Sequence, residues 1–125
     1  MKKQKLLQEL EIMDKKNISL SDVFNLYNKS KKEDEFMPEL KQKIESVFEI
    51  ENLKSKSRRE ILIVARSVFF WICKKHGVIG TKASKYIGVN HSSAINSIQK
   101  FYSYQNYYGF QTEIKEVLIW YNEKY

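Results

Sequence analysis

Four glycines and one proline among 125 residues supply too few turn formers for an all-β chain. A single cysteine, Cys73, excludes an internal disulfide framework and suits a reducing compartment. It lies in an apolar run and reads as a core thiol, not a nucleophile. His76 and His91 with that one cysteine cannot build a usual zinc site, so no metal is expected. No glycine-rich phosphate loop is present, which argues against nucleotide hydrolysis. The carboxylates crowd the N-terminal half without a paired spacing that suggests acid–base work. Eight tyrosines offer nominal nucleophiles for strand transfer but lack an accompanying arginine–histidine set. The chain therefore reads as a non-enzyme that needs no cofactor. Long hydrophobic runs are also missing. The longest, ILIVARSVFFWIC at 61–73, has 13 residues and contains Arg66, whereas a membrane span needs about 20. Gln8, Glu9 and Glu11 break the apolar positions of the N-terminal stretch, so no signal peptide is read there. These absences indicate a cytoplasmic protein with no membrane partner.

What is present is core material and localised positive charge. The chain is 42% hydrophobic and 14% aromatic, enough to bury a core. Its net charge of +7 is unevenly placed. Residues 1–50 carry 10 lysines and 10 acids. Residues 51–105 carry 7 lysines and 3 arginines against only Glu51 and Glu60. Charge concentrated in this way is the footprint expected for a polyanion partner.

Hydrophobic periodicity reads as helix throughout, so the fold class is all-α. Leu6, Leu7, Leu10 and Met13 place one helix at 2–14. Ser19 or Ser21 can cap a second, with Val23, Phe24, Leu26 and Tyr27 on one face. The charged segment 30–38, SKKEDEFMP, reads as a loop and a domain boundary. It separates an N-terminal helical extension, 1–37, from a domain at 38–125. After Pro38 come an amphipathic helix with Leu40, Ile44, Val47 and Phe48, a basic loop, and a central helix from about Arg59 to Lys75. A short helix at 81–87 turns inward through Ala83 and Ile87. Gly88 permits the next turn, and Asn90 can cap a helix at 91–104 with Ala94, Ile95, Ile98 and Phe101 or Tyr102 facing in. The last helix, about 111–124, groups Ile114, Val117, Leu118 and Tyr121.

The unit 81–104 has the spacing of a helix-turn-helix. Its second helix opens with His91, Ser92 and Ser93, groups able to meet base edges, with Asn96 and Lys100 off its apolar face. Asn90 can pair with adenine if it is not spent on capping. A serine-rich first turn is equally what an ordinary helix start looks like. Ahead of the central helix, Lys54, Lys56, Arg58 and Arg59 are candidates for phosphate or minor-groove contacts. Arg66 interrupts an apolar helix, so its stem packs while its head reaches a carboxylate or a phosphate. Residues 101–110 hold six aromatics, suited to core packing, a dimer contact or base stacking.

Residues about 40–105 resemble the C-terminal DNA-binding domain of the bacterial replication initiator DnaA, a helical domain of the Trp-repressor-like superfamily. Ile44, Val47, Phe48, Ile50 and Leu53 leading into SKSRR resemble its amphipathic helix and basic loop. Residues 65–77, ARSVFFWICKKHG, resemble its central helix. Ile87-Gly88 and His91-Ser92-Ser93 resemble its helix-turn-helix. Where that family carries Arg-Asp before the histidine, this chain has Val89-Asn90. The resemblance implies sequence-specific binding of double-stranded DNA. His91, Ser92 and Ser93 would lie in the major groove, and Arg58, Arg59 or Arg66 on phosphate or in the minor groove. Lys82 and Lys85 would hold the backbone. The initiator's ATPase module has no counterpart here.

The leading expectation is thus a DNA-binding protein of replication initiation, replication control or transcription regulation. A composition rich in lysine, isoleucine and asparagine fits a phage or mobile element in a bacterial host. The alternative is a virion, assembly or adaptor protein that keeps the fold without reading DNA. A homodimer or protein partner would then engage residues 1–37 or the aromatic segment 101–110.

Overall fold

A computed structural model describes residues 20–106 and 109–125. Helix 2–14 of the sequence reading, Ser19, and Tyr107 and Tyr108 of the aromatic segment lie outside the described residues. Among the described residues there are five helices and no strand. They are α1 (Leu20–Phe48), α2 (Glu60–His76), α3 (Gly80–Ile87), α4 (His91–Tyr104) and α5 (Gln111–Lys124). None is long and apolar enough to cross a membrane. The chain divides into two units, residues 1–36 and 37–125.

Helix α1 overturns the expected loop at 30–38: the segment is helical throughout, with Pro38 inside the helix. Lysine and glutamate are good helix formers, so a polar run without glycine does not by itself break a helix. Pro38 removes one backbone donor and costs about 3 kcal/mol in a helix interior. In the first unit, Val23, Glu33 and Phe36 are buried. Phe24, Leu26 and Tyr27, expected to pack beside Val23, are exposed, as is Leu20.

The second unit is built around α2, which packs most heavily on α4 and also on α3 and α5. Nine of its residues are buried, so its apolar surface runs nearly all the way round. Leu40, Ile44 and Phe48 of α1 are buried at a spacing of four. Trp71 stacks on the fully buried Phe101 with ring centroids 4.7 Å apart, fixing α2 against α4. The His76 Nδ1 and the Tyr121 hydroxyl share a hydrogen bond of 2.9 Å, tying the end of α2 to α5. Lys124 pairs with Glu39, whose other carboxylate oxygen accepts from the Tyr125 hydroxyl at 2.8 Å.

Three helix ends use a left-handed residue, and these ends set the loops that matter below. Glu49 (φ 56) closes α1, Gly77 (φ 90) closes α2 and Gly88 (φ 89) closes α3. At the last, the Gly88 and Val89 amides both donate to the Ser84 carbonyl, at 2.9 and 3.0 Å. A side chain at such a φ costs about 1–2 kcal/mol. Gly88→Ala is therefore expected to lower the unfolding free energy in urea by about that amount. An unchanged unfolding free energy would mean that the turn relaxes without strain.

Candidate nucleic-acid interface

Residues 49–59, which hold the basic loop, join α1 to α2, and residues 88–90 join α3 to α4. The basic loop is fixed from two sides at Leu53, whose own side chain is fully buried. The Leu53 amide donates to Glu45 Oε2 at 2.7 Å, and the same carboxylate oxygen takes the Lys41 ammonium at 2.7 Å. The Leu53 carbonyl accepts from Arg66 Nε at 3.2 Å, and Arg66 Nη2 reaches the Ser57 carbonyl at 3.1 Å. Three further amides are taken up inside the loop: Lys54 on Asn52 Oδ1, Ser57 on Ser55 Oγ, and Arg59 on Ser57 Oγ. Little conformational freedom is left to lose on binding, which lowers the cost of association.

The loop's cations point to solvent. Lys54, Lys56, Arg58 and Arg59 are all exposed. Lys54 Nζ also sits 4.2 Å from the centre of the Tyr86 ring, and that ring stacks on Phe69. Burial, reinforced by Glu45 and opposed by Lys41, raises the Tyr86 phenol above its ordinary value, so it stays neutral under Lys54. This stack sets the basic loop on α3, where Lys82 stands one turn before Tyr86 and Lys85 three residues beyond Lys82. Lys85 is exposed and Lys82 half-buried.

Arg66 differs from its expected role. Its guanidinium engages two loop carbonyls, not a carboxylate, and burial pulls it below its ordinary value. It is a positioning residue for the loop. Asn90 is likewise spent: its side-chain oxygen accepts from the Ser93 amide at 2.8 Å as the cap of α4. A two-point contact to adenine would have to share that oxygen with the cap.

His91, Ser92, Ser93, Asn96 and Lys100 are all exposed. The His91 ring lies against the first residue of α3: a Cβ built on Gly80 would stand 2.8 Å from its Cε1. A side chain at 80 would meet only this exposed ring, which would have to swing aside. Lys100 lies nine residues beyond His91, about 13 Å along the helix, and no interaction links it to the basic loop. Ile95, expected to face inward, is 42% exposed.

Sequence reasoning left out Gly80, Tyr86, Glu45 and Gln99. Gly80 and Tyr86 meet His91 and Lys54 only through the fold, as Glu45 meets the Leu53 amide, although its pairing with Lys41 at i, i+4 is a local pattern. Gln99 was legible, since it follows Ser92 by seven residues and Asn96 by three on an exposed helix face. A cavity of about 290 Å³ lies between α2, α3 and α4, walled mainly by apolar groups such as Phe70, Val78, Ala83 and Ile98, with His91 beside it. Among the described residues, no group of three His, Cys, Asp or Glu side chains converges as metal ligands would. Compared with protein-family models, curated proteins and solved structures, the chain matches none.

Proposed function

We propose that this protein binds double-stranded DNA sequence-specifically. Helices α3 and α4 act as a helix-turn-helix, with α4 in the major groove and the basic loop on the phosphate backbone. The observation that carries this reading is the exposed set His91, Ser92 and Ser93 at the start of α4, joined through α3 and the Lys54–Tyr86 stack to a pre-ordered cationic loop. Neither α3 nor α4 contains an acidic residue to repel phosphate. The resemblance of residues about 40–105 to the DNA-binding domain of DnaA points the same way. It favours a role in replication or transcription control, in a phage or mobile element. Exposed Leu20, Phe24 and Leu26 favour a protein contact by the first unit, and the adaptor reading rests on them.

Salt-titrated anisotropy with random and selected duplexes tests the proposal. Arg58→Ala and Lys85→Ala should weaken binding to every sequence and each flatten the salt slope by about 0.9. His91→Ala and Ser92→Ala should instead narrow the gap between selected and random duplexes. No duplex binding at low salt would end the proposal. Equal weakening on all sequences by the second pair would end direct readout.

A further inference from the structure

The outward face of α4 carries a chemically one-sided set of groups. Ser92, Asn96, Gln99 and Ser103 follow at spacings of four, three and four, and all are exposed. None of the side-chain hydrogen bonds among the described residues uses the Asn96 or Gln99 amide, in contrast to Asn90, whose oxygen is taken by the cap. Ile95 adjoins this ridge and is 42% exposed. Helix α4 has no arginine and no acid, and Lys100 is its one cation.

Each base edge in the major groove asks for a particular partner. Guanine O6 and N7 take arginine or lysine, and cytosine N4 takes a carboxylate. Adenine N6 and N7 take the paired donor and acceptor of asparagine or glutamine, and the thymine methyl takes an apolar contact. Helix α4 offers two free amides for adenine and one aliphatic group for thymine. It has no carboxylate for cytosine and no arginine for guanine; Lys100, four residues beyond Asn96, is its one lysine. We infer that Asn96 and Gln99 read adenines, and Ile95 a thymine methyl, in a target whose core is A·T-rich. Asn96 and Gln99 stand about 4.5 Å apart along the helix axis, so they would address neighbouring base pairs. Ser92, which can pair with any base, would mark the edge of the core without choosing its sequence.

This inference rests on the DNA-binding reading of the same helix. An A·T preference can also arise from minor-groove shape, without any amide contact. Base analogues separate the two, because they change major-groove atoms and leave the protein intact. The full chain is first used to select duplexes from a random pool. The best of them is then remade with 7-deazaadenine, which lacks the N7 acceptor, or with uracil, which lacks the methyl group. Selected cores should be A·T-rich. In the core, 7-deazaadenine should weaken binding on the order of tenfold, and uracil by about threefold. The 7-deazaadenine effect should vanish in the Asn96→Ala/Gln99→Ala variant, and the uracil effect in Ile95→Ala. Binding with G·C-rich cores, or analogues that leave affinity unchanged, would overturn this inference and leave DNA binding standing. Absence of binding to any duplex would overturn both.

Discussion

Alanine at Lys56, Arg58 and Arg59 together is expected to lower duplex affinity by roughly two to three orders of magnitude at 0.1 M salt and to flatten the slope of log K against log salt by about 2.7. All three side chains are exposed, and none makes a side-chain bond that holds the loop. The loop's own order comes from Leu53, Arg66 and the turn serines. Lys54 is left in place because its ammonium is committed to Tyr86. The same triple change should leave stability unchanged within about 0.5 kcal/mol, or raise it slightly. Arg58 and Arg59 stand at the N-terminus of α2, where the helix dipole is positive and cations are disfavoured. The fold gains nothing from charges at that position, whereas the proposed duplex would. Thermal unfolding and salt-titrated anisotropy on one preparation check both halves. A variant with lower stability and an unchanged salt slope would show that these residues serve the fold.

Arg66→Met is expected to behave in the opposite way. It removes two charge-assisted hydrogen bonds and leaves the Leu53 and Ser57 carbonyls without those donors. That should lower the unfolding free energy by about 2–4 kcal/mol. Arg66 donates from Nε and Nη2 in a fixed fork that an ammonium cannot copy, so Arg66→Lys should recover less than half of the loss. Duplex affinity should fall on all sequences because the loop loses its order, while its free cations keep most of the salt slope. A phosphate-binding Arg66 would give the reverse result: a slope reduced by about 0.9, stability near that of the parent, and substantial rescue by lysine. Urea unfolding of the two variants, read beside their salt titrations, decides between these outcomes.

Much of the local architecture was legible from residue order. The helices at 91–104 and 111–124 coincide with α4 and α5, and α2 runs within one residue of its expected bounds. Ala83 and Ile87 face inward, and Asn90 caps α4. Each of these features depends on spacing within one or two turns, which periodicity and capping chemistry report directly. The loop expected at 30–38 failed because a single proline and a dense run of charge outweighed the helix propensity of the lysines and glutamates. Ile95 was misplaced because the angular width of a buried stripe depends on how far the neighbouring helices extend over it.

The candidate interface was legible as a set of residues but not as an arrangement. Sequence alone determined that this chain is helical, where its α2–α5 helices begin and end, and that its excess positive charge sits in the middle of the chain. Tertiary structure decided that Arg66 grips carbonyls 13 and 9 positions away. It also decided that Lys54 reaches Tyr86 and that the His91 ring rests against Gly80. Helical hydrogen bonds and caps close over three or four residues, so a short window of sequence contains their cause. The Arg66 and Tyr86 contacts of the basic loop exist only once α2 and α3 have packed, and no short window contains both partners.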